Sequence, residues 1–156
     1  MKVLAVDPGY GRCGVAVIDG SATNQTYVYS DCIETESSDD FFDRLQEITK
    51  TVDDLIDEHE PNGLAIEKLF FNQNTTTAMK VAQIKGAIAA VGKQNSLDVH
   101  EYGPQKIKAA VAGSGNARKK QVIQMTQQLV SIPDSAQHDD EYDAVAVGIT
   151  CLAHEG

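Results

Sequence analysis

Four carboxylates in this 156-residue chain stand where oxygen-ligated metal chemistry could arise: Asp7, Glu67, Asp140 and Asp143. Asp7 ends the apolar run KVLAVD and is followed by Pro-Gly. Glu67 ends a second apolar run, GLAIE. A carboxylate finishing an apolar strand is costly unless it meets a cation or reaches solvent. Asp140 and Asp143, three residues apart at the start of a final helical segment, share one helical face. Singly, an Asp before Pro-Gly is an ordinary turn residue and an Asp at a helix start an ordinary cap. Together in one crevice, four carboxylates would repel one another unless divalent cations neutralised them. Oxygen-only donors suit Mg²⁺ or Mn²⁺ and not a typical zinc site. Two such ions stabilise the attacking and leaving oxygens of a phosphodiester displacement.

That chemistry requires the strands ending at Asp7 and Glu67 to be neighbours. KVLAVD (2–7) and RCGVAVID (12–19) are continuous apolar runs, as in strands buried on both faces, and DGSATNQ is a turn. TYVYSDCIE (26–34) alternates more and suits a sheet edge. Short turns between these three predict an antiparallel meander. In 39–61 the apolar residues Phe41, Phe42, Leu45, Ile48, Val52, Leu55 and Ile56 recur at helical spacing, with Asp39, Asp40 and Asp43 at the start and Pro61 as the stop. GLAIEK (63–68) and LDVHEY (97–102) are further strands. Segment 77–94 is a helix with two apolar stripes: Ala78, Ala82, Gly86 and Ala90 at four-residue steps, and the bulkier Val81, Ile84, Ile88 and Val91. Two such stripes predict burial on both sides, by the sheet and by another helix or a second subunit. Segment 104–113 opens with Pro and closes with Gly. Residues 113–133 are a turn feeding a helix, and 134–156 a capped final helix. The expected architecture is one α/β domain over residues 1–156, a mixed five-stranded sheet with helices on both faces.

A net charge of −10 argues at first against a nucleic-acid partner, but the charge distribution points the other way. Residues 1–67 hold 4 Lys/Arg against 15 Asp/Glu, residues 68–130 hold 9 against 2, and residues 131–156 hold none against 6. A basic block therefore sits inside an acidic chain, and much of the acidic excess lies on the outer face of the 39–61 helix. Cys13, Cys32 and Cys151 form no C-x-x-C pair, which fits a reducing cytosol, small buried thiols and no zinc site. With no signal peptide and no apolar segment of membrane-spanning length, a cytoplasmic protein away from membranes is expected.

Four blocks in order, AVDPGYGRCGVAV, LAIEKLFFNQNTTTAMKVAQIKGA, EYGPQKIKAAVAGSGNARKKQV and DDEYDAVAVGIT, resemble the RuvC-type Holliday junction resolvases of the ribonuclease H-like superfamily along nearly the whole chain. The first block alone also resembles the phosphate-binding hairpin of actin-like ATPases, so order and spacing carry the match. The resemblance implies a magnesium-dependent endonuclease that resolves four-way junction DNA by paired symmetric nicks in recombination and repair, with two Mg²⁺ per site and Mn²⁺ as a substitute. It implies a homodimer working with the RuvA and RuvB branch-migration proteins. Asp7, Glu67, Asp140 and Asp143 match the catalytic and metal-binding positions, with Asp139 a competitor for Asp140; His138 receives no role. Phe70 matches an aromatic that wedges against unpaired bases, whereas Phe71 reads as core. Asn72, Gln73, Asn74 and the threonines after them suit phosphate and sugar contacts. Lys108 and Lys119 match basic positions near the scissile phosphate, and Lys106, Arg118 and Lys120 extend that DNA-binding patch. An RNA-processing nuclease of the same fold is the nearest alternative.

Overall fold

The computed structural model describes residues 1–70, 75–136 and 138–156. Strands β1 (Lys2–Asp7), β2 (Arg12–Ser21) and β3 (Asn24–Glu34) form an antiparallel meander, followed by α1 (Phe41–His59), β4 (Gly63–Glu67), α2 (Thr75–Gln94), β5 (Asp98–Tyr102), α3 (Pro104–Ala112), α4 (Lys119–Leu129) and α5 (Asp139–Glu155). The sheet order is β3-β2-β1-β4-β5. β4 runs parallel to both β1 and β5, so the sheet is mixed, as expected, and β3 is an edge.

Successive side chains of a strand point to opposite faces, and this period sorts the core into two layers. Leu4, Val6, Val15, Val17, Leu64 and Ile66 face one way, onto Ile48, Val52, Leu55 and Ile56 of α1 and Ile84 and Ile88 of α2. Val3, Ala5, Ala16, Ile18 and Ala65 face the other way, onto α5, with Ile107 and Val111 of α3 and Val122 of α4 in the same layer. The small residues on this second face allow close contact. A side chain at Gly148 of α5 would press to 2.7 Å from Ile18, and one at Gly14 of β2 would fall 2.0 Å from the Asp140 carbonyl oxygen.

Helix boundaries follow local chemistry. Asp40 Oδ2 accepts from the Phe42 amide at 2.9 Å, and Glu60 in the left-handed conformation ends α1. The final helix starts at Asp139, five residues later than the sequence pattern predicts. The Pro133–Ala136 segment closes a turn of its own, and the Glu141 side chain reaches back to the His138 amide at 3.2 Å.

The sheet side of α2 is covered as expected, and the stripe expected against another helix or a second subunit faces outward in the single chain. Ile84, Ile88 and Gly92 are buried against the sheet side, but Ala82, Gly86 and Ala90 are exposed in the single chain. No heavy atom lies within 4 Å of where a Gly86 side chain would begin. Among the described residues no helix is long and apolar enough to cross a membrane.

Candidate functional site

Asp7 and Glu67 are the last residues of two adjacent parallel strands, the Val6–Ile66 register placing the two ends side by side. Asp7 shares the side-chain face of Val3 and Ala5, and Glu67 that of Ala65, so both point to the face that α5 covers. Packing of Gly148 and the alanines against the sheet seats α5 so that Asp143, one turn into the helix, reaches the same place.

There Asp7, Glu67 and Asp143 line one cavity of about 260 Å³ with Lys108 of α3 and Lys119 of α4; Pro104, Ile107, Val122 and Ala146 supply apolar walls. Burial raises the Asp7 pKa far above the ordinary carboxylate range, and the neighbouring Glu67 and Asp143 charges add to the rise. Glu67 is also raised, by burial first, although its hydrogen bond with Asp7 opposes the shift. For Asp143 burial again raises the pKa, against the lowering effect of Lys119. Lys119 Nζ lies 3.2 Å from Asp143 Oδ2 and 3.7 Å from Asp139 Oδ2. Burial lowers the Lys119 pKa, but the Asp143 charge and hydrogen bond outweigh it, and the net shift is upward. The pocket thus gathers three desolvated acids and two cations, an arrangement that hard metal ions and a phosphate group would complement.

The other candidate residues divide. Asp140 does not line this cavity. Three residues turn an α-helix by about 300°, leaving Asp140 about 60° around α5 from Asp143, on the side of β2 and β3, where Arg12 Nη1 lies 3.9 Å from its Oδ2. It remains close enough to raise Asp7 as the least of the charge contributions. Asp139, exposed, pairs with Lys119. Phe70 is 57% exposed and lies outside both core layers. It lines a second depression of about 290 Å³ that shares Asp7, Glu67 and Pro104 with the first. Lys106, Arg118 and Lys120 are exposed and do not line the acidic cavity; Lys106 Nζ lies 5.0 Å from the Tyr102 ring centroid. Phe71, Asn72, Gln73 and Asn74 fall outside the described residues.

A family model described as crossover junction endodeoxyribonuclease RuvC matches residues 3–151. The chain belongs to that family. Curated RuvC proteins from Rickettsia prowazekii and Alkaliphilus metalliredigens are each 38% identical to it, the first over 97% of both chains and the second over all of this chain and 94% of its own. The structure of Thermus thermophilus RuvC in complex with Holliday junction substrate superposes with a TM-score of 0.92 at 25% identity, covering 99% of this chain and 94% of that one. The yeast mitochondrial Holliday junction resolvase Ydc2 has the same fold, with a TM-score of 0.70 at 12% identity, over 97% of this chain and 78% of its own. The ribonuclease H-like architecture expected from the sequence is therefore the one that this family and its structural neighbours adopt.

Two sets of residues around the RuvC-family site are not evident in the sequence. Arg44 of α1, 9% exposed, sends its Nε to Thr35 Oγ1 at 2.8 Å and stacks its guanidinium 4.7 Å from the Tyr10 ring centroid. Thr35 in turn hydrogen-bonds the Tyr10 carbonyl and donates its amide to the Gly11 carbonyl at 3.0 Å. These contacts brace the turn that follows Asp7. The available signal is an arginine within the inward-facing stripe of α1, between Phe41 and Ile48. The second set is Arg12, Cys32 and His138. One ligand atom from each of Cys32, His138 and Asp140 lies within 4.8 Å of the others, a spacing that the acids of the cavity do not match among the described residues. No linear motif links residues 32, 138 and 140; the strand register does.

Proposed function

We propose that this chain is a metal-dependent, structure-selective DNA endonuclease that resolves Holliday junctions by paired symmetric nicks. The observation carrying this reading is the meeting of Asp7, Glu67 and Asp143 in one cavity opposite Lys108 and Lys119. The donor set fits hard divalent cations: the three metal-ligand candidates are carboxylates, buried enough that their negative charge is unfavourable without a positive partner. Two magnesium or manganese ions held by Asp7, Glu67 and Asp143, with Asp140 as fourth acid, would supply Lewis-acid stabilisation of phosphodiester displacement.

The chain's own groups perform the remaining tasks in this reading. Lys119 and Lys108 present positive charge to the scissile phosphate, and Asp143 holds the Lys119 ammonium at the cavity wall until DNA arrives. Phe70, exposed beside the cavity, stacks on an unpaired base at the branch point; such stacking contributes about 1–3 kcal/mol and tolerates any base. Lys106, Arg118 and Lys120 extend the phosphate-binding surface. The nicks leave 5′-phosphate and 3′-hydroxyl ends.

Residues 1–156 act as one nuclease domain, and two copies form a homodimer whose two-fold axis matches that of the junction. The exposed Ala82, Gly86 and Ala90 stripe of α2 supports this pairing, because small residues let a second helix approach closely. The same reading places the protein in the cytoplasm with RuvA and RuvB. It is tested by comparing cleavage of a synthetic four-way junction, a linear duplex and a structured RNA, with magnesium and with chelator. Junction cleavage only with magnesium is expected. Preference for RNA would instead select an RNA-processing role.

A further inference from the structure

Arg12, Cys32 and Glu34 meet the start of α5 because of strand register. Cys32 pairs with Gly14, and Glu34 with Arg12, so all four share the face toward α5. Gly14 lets the Asp140 backbone come close, and Asp140 and His138 hang over the edge strand. One ligand atom each from Cys32, His138 and Asp140 then lies within 4.8 Å of the others. Glu34 Oε1 lies 2.7 Å from His138 Nε2, and Arg12 Nη1 lies 3.3 Å from His138 Nδ1. An arginine only donates, so Nδ1 is the acceptor and Nε2 carries the proton that Glu34 receives. The ring's one lone pair, on Nδ1, is thereby occupied by Arg12 and becomes available to a metal when Arg12 moves aside, while a carboxylate backs the far nitrogen. A carboxylate in that position orients the ring of a metal-bound histidine and raises its basicity. Arg12 Nη1 is also 3.9 Å from Asp140 Oδ2, so a positive group already stands between imidazole and carboxylate.

We propose that Cys32, His138 and Asp140 form a zinc-binding site beside the acidic cavity, and that zinc bound there inhibits cleavage by holding Asp140 away from the other acids. One sulfur, one nitrogen and one oxygen donor suit Zn²⁺, with water completing a tetrahedron, and do not suit Mg²⁺. On binding, the Cys32 thiol loses its proton to solvent, its sulfur bonds the metal, and Arg12 swings out; no oxidant is involved. Cys32 is only partly buried, unlike Cys13 and Cys151, so it is within reach of an ion from solution. Cysteine spacing along the chain disfavours zinc because the other two ligands sit at a helix start more than a hundred residues away from Cys32. The binding half stands on these contacts alone; the inhibition half rests on the endonuclease reading.

Cobalt and zinc titrations of the full chain test both halves. Wild type should give a thiolate-to-cobalt charge-transfer band that zinc bleaches, and Cys32→Ser and His138→Ala should lack it. Glu34→Gln should keep the band but bind roughly tenfold more weakly, since Glu34 only positions the imidazole. Under saturating magnesium, zinc should inhibit junction cleavage, and Cys32→Ser should need about tenfold more zinc for the same inhibition. No band in wild type overturns the site. A band with equal zinc inhibition of wild type and Cys32→Ser overturns the inhibition, placing the zinc effect in the acidic cavity. A band in a chain that never cuts junctions with magnesium upholds the metal site and rejects the endonuclease reading with its regulation.

Discussion

Two acidic regions of this chain differ in what their charges can do. On α1, Asp43, Glu47, Asp53, Asp54, Asp57 and Glu58 are all exposed to solvent. At the other side of the sheet, Asp7, Glu67 and Asp143 are fewer but share a partly enclosed cavity, and burial raises all three pKa values. The α1 acids account for much of the net charge, and the cavity acids account for the chemistry. Desolvation, not the number of charges, separates a soluble surface from a site that demands a cation.

The sharpest way to break this contrast is to remove one buried charge. Asp7→Asn keeps the shape and the basic wall but deletes a metal ligand. Junction cleavage should fall by about 10³-fold or more, the scale of several kcal/mol of lost transition-state stabilisation. Junction binding, measured by gel shift in calcium, should persist. Ordinary cleavage by this variant in magnesium would remove Asp7 from the site.

Phe70→Ala probes the rim of the same cavity. Its ring touches the Gly103 region from outside the core. Cleavage should drop by about 10-fold or more, corresponding to one lost stacking contact. Thermal stability should change by less than about 2 °C, the shift for a small surface change in a chain of this size. A large fall in Tm would mean the ring is structural.

How much of this is legible in the residues depends on the range of the forces involved. Helix α1 is readable to within two residues at each end because its apolar spacing, Asp40 and Pro61 are local signals. The neighbouring ends at Asp7 and Glu67 are readable only as a conditional, since apolar runs identify strands but not which strands pair. The five-residue delay of α5 is hidden because Asp134 and Ser135 are as good at starting a helix as His138, and the turn in which the Ala136 amide donates to the Pro133 carbonyl has no distinct signal in the residues. The partner of the small-residue stripe of α2 is not readable, because composition alone cannot say whether such a stripe meets a helix of the same chain or a second subunit. Cys32 reads in the sequence as a small buried group, yet it is only partly buried, at a register position that pairs it with Gly14. Contacts across more than a hundred residues depend on register, and register is not written in any short window.

The buried and solvated acids should also respond differently to pH when chelator keeps metals away. The folded-state pKa of Asp7 lies above its unfolded value, so between the two values the folded chain holds the extra proton. The unfolded chain then binds fewer protons, and stability falls as pH rises from about 4, the unfolded carboxylate value, through the folded one. Melting in chelator should therefore be higher at pH 5 than at pH 8. Asp7→Asn should flatten that slope and raise Tm at pH 8 by about 3 °C, the scale of roughly 1 kcal/mol in a chain this long. A magnesium-dependent rise in Tm at pH 8 should appear in wild type and shrink in the variant. An unchanged slope would mean that solvent, not burial, governs Asp7.

The smallest effect belongs to α1. Asp57→Asn removes a solvated charge that is separated from the cavity by the α1 layer and the sheet. A helix alone is about 10–12 Å across, already more than the Debye length of about 10 Å at 0.1 M salt. Cleavage at that ionic strength should change by less than about twofold, since a screened charge cannot bias a distant phosphate. At about 0.01 M salt the Debye length grows to about 30 Å, and the same variant should bind junction DNA measurably more tightly as repulsion is relieved. A clear gain at both ionic strengths would place α1 next to the DNA, and the division between the two acidic regions would have to be redrawn.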